Sequence, residues 1–383
     1  MRRRLIAVIG MAVVGMVLTG IVLVRGGSVR HSPGDASGLP STPAAAAAAG
    51  PCFEPDYVKF SSPEEGWAVG RADCGYNLPI RIKCTHDGGR TWRNLPAAPS
   101  EFVTYGMTLV DARTAFTHSG DTLWATHDGG MTWSEQTIPG VGPQSSMAVA
   151  AGRIQVADLR SDGLHILSSD VDRQSDWTDV RVDLDLSGLT AEDRRELHGY
   201  PAIDLSGPYG WLMVYGKNSV VATARLVDGT WVSTAQPCGA AGPLEASLSP
   251  ANRLLLVECG GPGPYHVGQR LPQAMTSADG GATFVASNAG WPRDRDFYPS
   301  LTATPGLLAA TDKNQLLITA DGGAQWTTAY TGPPSAEFEG VEFVSATEGF
   351  VLMDPDPNGP PHARQILVTR DGGRGWSPLV FTS

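Results

Sequence analysis

Two segments of the sequence combine arginines with aromatic and acidic residues, a composition that is enriched where proteins bind one another. They lie within residues 191–200 and 291–298. We therefore expect a binding surface that includes Arg194, Arg195, His198, Tyr200, Arg293, Arg295 and Tyr298. The alternative is that both segments are solvated loops whose charges pair locally.

Residue patterns for other kinds of chemistry are missing. The eight histidines form no His-x3-His pair and the cysteines form no Cys-x2-Cys pair, so we expect no metal site and no cofactor. His86 and His127 occupy the same place in a repeat and are interpreted as turn residues. The sequence has neither a Gly-x-Ser-x-Gly nucleophile turn nor a Gly-x4-Gly-Lys-[Ser/Thr] phosphate loop, so we assign no catalytic residue.

Five segments share one eight-residue pattern, which we call the box. Each contains Thr or Ser, any residue, Asp-Gly-Gly, two further residues and an aromatic residue. The boxes span residues 85–92, 126–133, 277–284, 319–326 and 369–376. The long interval between the second and third boxes has room for two weaker copies, at Asp170 with Trp177 and at Asp228 with Trp231.

The box has the properties of a tight turn between two strands. An aspartate accepts hydrogen bonds from amides two or three residues further on, and glycines permit positive φ. The closing aromatic residue buries a large apolar face between neighbouring sheets. We expect structural roles for Asp87, Trp92, Asp128, Trp133, Asp279, Phe284, Asp321, Trp326, Asp371 and Trp376.

Each repeat unit has the pattern of four short strands, with the box between the third and the fourth. Seven units over residues 52–383 average about 47 residues, a period that indicates a propeller. We therefore predict an all-β, seven-bladed β-propeller, with blade boundaries in 146–245 left open. Residues 191–200 and 291–298 are two of the connections between blades, which gather on one face around the central channel of a propeller.

The boxes resemble the Asp-box, or BNR, repeat of sialidases and of sortilin-type propellers. Phe60 followed by Gly66-Trp67 is similar to an element of the photosystem II assembly-factor-like propellers of bacteria. The resemblance implies a seven-bladed propeller whose boxes lie on the rim, away from the central binding face. A sialidase also has an Arg-Ile-Pro element near its first strand, and Pro79-Ile80-Arg81-Ile82 does not match it.

The N-terminal region has the pattern of a membrane anchor. Residues 5–24 carry no charge and would span about 30 Å as a helix, while Arg2, Arg3 and Arg4 favour a cytoplasmic N-terminus. We predict a cytoplasmic stub at 1–4, a transmembrane helix at 5–24, a Pro/Ala/Gly-rich linker at 25–51 and the propeller at 52–383, outside the cytoplasm. The alternative is a cleaved signal peptide and a secreted protein.

The charge distribution argues against a nucleic-acid partner. The formal net charge is −11, and the first thirty residues contain five arginines and no acidic residue. The remainder of the chain is therefore more acidic still, whereas nucleic-acid binding depends on a positive field.

The five cysteines allow disulfides in an exported domain. We expect Cys238 to pair with Cys259, and Cys74 with Cys84. Cys52 could replace either member of the second pair, and one thiol must stay free or pair between chains.

These observations favour a non-enzymatic, membrane-anchored module that binds a protein of the cell envelope or assists the assembly of a complex there. The alternative is a sialidase-like glycoside hydrolase or a glycan-binding protein.

Overall fold

The computed structural model describes residues 53–72, 80–96, 106–143, 145–190, 199–216, 220–238, 243–249, 253–259, 273–287, 289–292, 300–357 and 364–381. Within these ranges the chain forms 28 β-strands in seven four-stranded sheets. Each sheet consists of four consecutive strands paired in an antiparallel meander.

The first three sheets contain β1 (Phe53–Phe60), β2 (Gly66–Ala72), β3 (Ile80–Thr85), β4 (Arg93–Asn94), β5 (Thr108–Leu109), β6 (Ala115–Ser119), β7 (Thr122–Thr126), β8 (Ser134–Thr137), β9 (Ser145–Ala150), β10 (Arg153–Arg160), β11 (Gly163–Asp170) and β12 (Arg173–Val182). The next two contain β13 (Tyr200–Ser206), β14 (Tyr209–Tyr215), β15 (Val220–Val227), β16 (Thr230–Thr234), β17 (Pro243–Leu248), β18 (Leu255–Cys259), β19 (Gln273–Ser277) and β20 (Val285–Ala286). The last two contain β21 (Leu301–Thr304), β22 (Leu307–Asp312), β23 (Gln315–Thr319), β24 (Thr327–Thr331), β25 (Glu337–Phe343), β26 (Gly349–Asp354), β27 (Gln365–Thr369) and β28 (Ser377–Pro378).

The sheets are the blades of a closed seven-bladed propeller, which confirms the predicted propeller. One central cavity is lined by the first strand of every blade: β1, β5, β9, β13, β17, β21 and β25. The buried apolar residues within the described ranges form seven clusters, and each joins one blade to the next. The first strand is therefore the inner strand of each blade, and burial between blades stabilises the ring.

The box at residues 126–133 shows how the sequence forms the turn between the third and fourth strands. The Thr126 hydroxyl donates to Oδ1 of Asp128 at 2.9 Å and accepts from the amide of Gly130 at 3.0 Å. The same Oδ1 accepts from the amides of Met131 and Thr132, both at 3.0 Å. Gly130 has a φ of +79°, which a residue with a Cβ rarely adopts. The other four boxes repeat the hydroxyl-to-aspartate and hydroxyl-to-glycine bonds.

The aromatic residues of two boxes pack against the preceding blade. Trp133 meets Trp67 of the first blade edge-on, with ring centroids 6.2 Å apart, and Phe284 meets Trp211 of the fourth blade at 5.5 Å. Because Trp67 and Trp211 are fully buried, these contacts lie inside the interfaces between blades.

The third and fourth blades have divergent turns where the others have boxes. In the third, Oδ1 of Asp170 accepts from the amide of Asp172 and β12 departs from regular pairing over residues 174–177. In the fourth, Asp228 and Gly229 form a two-residue turn with positive φ at both positions. Trp177 and Trp231 still pack against apolar clusters between blades, so the closing aromatic residue is kept although the hydrogen-bond pattern of the box is not.

The ring closes at the interface of the seventh and first blades, which we call the seam. The sheets on both sides contain only consecutive strands, so side chains and not a shared strand hold the seam together. Phe60 stacks on Phe350 with ring centroids 3.7 Å apart, and the guanidinium of Arg370 donates to the carbonyl of Gly88 at 2.6 Å. Both contacts join residues more than 280 positions apart in the sequence.

The cysteine pairing agrees with one expectation and corrects another. Cys238 and Cys259 form a disulfide that ties the end of the fourth blade to β18. Cys84 is instead a free, buried thiol, so the predicted Cys74–Cys84 bond is wrong. The reason is the alternation of β3, which places Cys84 beside Ile82 in the apolar cluster between the first and second blades. Cys52 and Cys74 lie outside the described residues.

Among the described residues there is no helix long and apolar enough to cross a membrane. Residues 5–24, for which the sequence predicts such a helix, lie outside the described ranges.

Candidate functional site

Two equivalent β-bulges bring carboxylates to the seam. The pairing of β1 with β2 shifts register between Pro55 and Tyr57, and that of β25 with β26 shifts between Phe338 and Gly340. Asp56 and Glu339 are the extra residues, each four positions before the closing phenylalanine of its strand. A bulge changes the direction in which a side chain points and is frequent beside functional sites.

Arg364, just before β27, contacts three carboxylates. Its Nη2 is 2.9 Å from Oε1 of Glu339, its Nε is 3.7 Å from Oδ2 of Asp354, and its Nη1 is 4.0 Å from Oδ1 of Asp56. At the end of β2, Nη2 of Arg71 lies 2.8 Å from the same Asp56 oxygen. We call these five residues the seam cluster.

The seam cluster is largely buried but still reached by solvent. Its side chains are between 15% and 32% exposed. Three carboxylates share two guanidinium groups, so the formal charge of the cluster is −1. A charged group of a binding partner could therefore contact the partly desolvated charges of the seam cluster. Such charges favour partners of complementary charge over others.

Burial shifts the pKa of both bulged carboxyl groups in the same direction. It raises the pKa of Asp56, against which Arg71 and Arg364 act. Burial also raises the pKa of Glu339, with Arg364 opposing it and Asp354 adding to it. The two arginines therefore do not fully offset the loss of hydration.

Only one of the seven sequence-predicted binding residues lies among the described residues. Tyr200 begins β13, at the end of the blades where the inner strands start, and its ring stacks on Tyr215 with centroids 4.8 Å apart. The other six, Arg194, Arg195, His198, Arg293, Arg295 and Tyr298, lie outside the described residues. Whether they form one surface stays a prediction.

Sequence reasoning missed the seam cluster, although a signal for it exists. Matching the sequence Val58-Lys-Phe60 to Val341-Glu-Phe343 aligns the first repeat unit with the last. Extending that alignment four residues toward the N-terminus matches Asp56 to Glu339 and Glu54 to Glu337. Two acidic residues at equivalent places on inner strands of neighbouring blades would have pointed to this site.

The central cavity lies toward the opposite end of the inner strands. It has a volume of about 570 Å³ and reaches Ala151 and Gly207 in turns between first and second strands. The boxes lie at this end too, because the amide of Gly88 in the first box donates to the carbonyl of Glu64 in such a turn. The seam cluster and this cavity are therefore separate sites.

Metal binding finds no support within the described ranges. No three His, Cys, Asp or Glu side chains there are grouped so that they could hold a metal ion.

Comparison with solved structures places the fold among β-propellers. YCF48 from Cyanidioschyzon merolae aligns with 15% identity over 84% of this chain and 97% of its own, with a TM-score of 0.54. A prolyl endopeptidase aligns with 12% identity over 85% of this chain and 49% of its own, with a TM-score of 0.59. An ulvan lyase of polysaccharide lyase family PL25 aligns with 11% identity over 85% and 94%, with a TM-score of 0.53. These likenesses show the fold alone, because one architecture carries many activities.

No protein-family model matches the sequence, and neither does any curated protein.

Proposed function

We propose that this propeller is a non-enzymatic binding module, held outside the cytoplasm by an N-terminal membrane helix, that recognises a protein of the cell envelope. The observation that carries the proposal is the seam cluster. Two equivalent bulges present carboxylates to one arginine at a partly exposed junction of blades. Groups of this kind contribute to the specificity of protein recognition.

The position of the seam cluster fits a tethered module. The predicted linker at 25–51 ends five residues before Asp56, so the linker and the predicted helix precede the cluster directly in sequence. A tether confines a protein near the membrane and raises its effective concentration toward partners in the same membrane. The partner we propose is therefore a protein with an extracytoplasmic surface.

Site-specific crosslinking in intact cells tests the proposal. A photo-crosslinking amino acid replaces the exposed Gln365, next to Arg364, in the full chain. We expect a discrete crosslinked protein, and we expect Arg364→Glu to abolish it because this change places a fourth carboxylate in the cluster. The matched position is the exposed Arg374, in a box at the other end of the blade, where we expect no such product.

Two further variants complete the experiment. Arg374→Glu makes the same charge change at the opposite end of the blade from the seam cluster and should leave crosslinking from Gln365 intact. Arg293→Glu combined with Arg295→Glu tests the predicted loop surface and should weaken the product if that loop belongs to the site. Equal products from both positions, or full retention with Arg364→Glu, would exclude the seam cluster as the binding site.

A second candidate function is a carbohydrate-active protein of the sialidase or lyase type. What favours it is the raised pKa of both Asp56 and Glu339 beside one arginine, since a buried carboxyl group of raised pKa is the usual general acid of a glycosidase. Turnover of a fluorogenic sialoside or of a uronic-acid polysaccharide, lost with Glu339→Gln, would support this candidate. Absence of turnover together with retained crosslinking would favour the binding module.

A further inference from the structure

The fourth blade has a two-residue turn where most blades have a box, and a pocket lies beside it. At the seam, Arg370 in the box of the seventh blade donates to the carbonyl of Gly88 in the next box. In the fourth blade the chain reverses at Asp228 and Gly229 instead. A pocket of about 160 Å³ lies beside Gly280, the counterpart of Gly88 in the box of the fifth blade. The missing box thus leaves a recess between the fourth and fifth blades.

Arg225 of β15 points into this recess. It lies opposite Trp211 of β14, whose ring packs toward the fifth blade against Phe284. Residues directly opposite each other on neighbouring strands share a face of the sheet, so Arg225 faces the fifth blade too and lines the pocket. Within the described ranges its guanidinium takes part in no hydrogen bond and no ion pair. A partly buried cation without a counter-ion is thus available at this place.

A second arginine approaches the pocket from the fifth blade. Arg253 lies in the turn between β17 and β18, and its Cζ is 5.1 Å from the centroid of the Tyr209 ring. This contact fixes the direction of the side chain. A guanidinium has five N–H donors, so most of them stay free beside the tyrosine. In the part of the chain that the structure describes, Arg253 forms no ion pair either.

The two aspartates that line the pocket do not occupy these donors. Oδ1 of Asp279 accepts from the Ser277 hydroxyl and from the amides of Ala282 and Thr283, and Oδ2 accepts from the Thr283 hydroxyl. Its carboxylate is thus used within its own box. Asp228 is exposed at the tip of the two-residue turn. The four charged side chains sum to zero, which favours a ligand with one negative charge over a ligand with two.

We propose that the recess between the fourth and fifth blades binds a carboxylate group of another molecule through Arg225 and Arg253. The planar fork of a guanidinium matches the two oxygens of a carboxylate, and such charge-assisted hydrogen bonds are strong. The small volume suits one compact group rather than a long chain. This site lies away from the seam cluster, so the inference stands independently of the proposed function.

Protection of arginines from phenylglyoxal, read by mass spectrometry of peptides from the full chain, tests the inference. The probe is N-acetylglycine, and the matched control is N-acetylglycinamide, which has the same size and no charge. We expect the probe to slow the modification of Arg225 and Arg253 and to leave the exposed Arg374 unchanged. The amide should protect neither arginine, and sulfate at the same ionic strength should protect them less than the probe.

Two variants locate the bound group. Arg253→Gln removes one of the two guanidinium groups, so half-protection of Arg225 should need about tenfold more probe. Arg374→Gln makes the same change outside the pocket and should have no effect. The reciprocal variant Arg225→Gln, read at Arg253, carries the test if Arg253→Gln does not fold.

Three results would overturn the inference. One is equal protection by N-acetylglycine and its amide, and another is no protection by the probe at high millimolar concentration. The third is stronger protection by sulfate, which would assign the recess to tetrahedral dianions instead of carboxylates.

Discussion

Each box depends on one aspartate that gathers the donors of its own turn. Oδ1 of Asp128 accepts from one hydroxyl and two amides, and Oδ2 accepts from the Thr132 hydroxyl at 2.6 Å. The hydrogen bonds from Thr132 are the main reason that the pKa of Asp128 falls to about 2. One ionised aspartate thus accepts four hydrogen bonds within its own turn. This explains why the box recurs with so little change.

The lowered pKa of Asp128 predicts how acid affects the fold. A carboxylate with a folded pKa below its unfolded value stabilises the protein above about pH 4, and this contribution is lost as the pH falls toward 2. We expect the melting temperature of the unaltered protein to drop over this range, and to drop less in Asp128→Asn. Calorimetric scans at several pH values measure it, and identical pH profiles for the two proteins would contradict the prediction.

Gly130 should be far less replaceable than another glycine of similar backbone conformation. A Cβ at Gly130 would lie 2.7 Å from Cδ1 of Leu95 and 2.8 Å from the Trp67 ring, whereas one at Gly152, with φ of +73°, meets nothing within 4 Å. We expect Gly152→Ala to cost about 1–2 kcal/mol from backbone strain alone. Gly130→Ala adds steric overlap of about 1–3 kcal/mol. Denaturant unfolding of the pair measures the difference, and equal losses would show that the neighbours move aside.

At the scale of elements, the strands are short and most of their stability comes from the surfaces between blades. Outer strands such as β4, β20 and β28 contain only two residues. Short edge strands also give neighbouring molecules little to pair with, which limits aggregation.

The contact between the fifth and sixth blades offers a test of this view. Trp326 is buried, lies 4.7 Å from the Trp291 ring and donates from Nε1 to the Ser287 hydroxyl at 2.9 Å. We expect Trp326→Ala to lower the free energy of unfolding by about 3–5 kcal/mol through the cavity it leaves. Trp326→Phe retains most of the packing and loses the hydrogen bond, so it should cost about 1–2 kcal/mol. A larger loss for Phe than for Ala in urea unfolding would contradict this ranking.

The disulfide adds a covalent link between the fourth and fifth blades. Cys238 and Cys259 are 21 residues apart, and a loop of that size contributes about 3 kcal/mol. We expect a reductant to lower the melting temperature of the unaltered protein. A Cys238→Ser, Cys259→Ser double variant should melt at the lower temperature with or without reductant, and a further drop in that variant would implicate other thiols.

At the scale of the whole molecule, the repeated boxes and blades could be predicted from the sequence. The features that depend on strand register, such as the β-bulges, could not. Seven units with five recurring turns determine a propeller, because each turn and its aromatic residue have local causes. The bulges at Asp56 and Glu339 arise from a one-residue shift between strands, which no local pattern encodes. The predicted Cys74–Cys84 bond is wrong because β3 places Ile80, Ile82 and Cys84 along one face, which packs into an apolar cluster between blades.

Charged contacts also cross the seam. Lys59 with Glu342, Arg364 with Asp56, and Arg370 with the Gly88 carbonyl each cross from the seventh blade to the first. Substitutions there would act on ring closure as well as on the proposed binding. The thermal stability of Arg364→Glu should therefore be measured alongside its crosslinking.

Because no strand is shared across the seam, any blade of the ring could be the first in the chain. The rings of Phe53 and Phe381 lie 4.8 Å apart, and each blade on either side of the seam is complete in itself. A short peptide joining these two residues, with a cut in any connection between blades, should give a circularly permuted protein with the same architecture. Six such permutants, one for each connection between blades, would show whether any one junction has to form first during folding, which a propeller closed by a shared strand could not reveal.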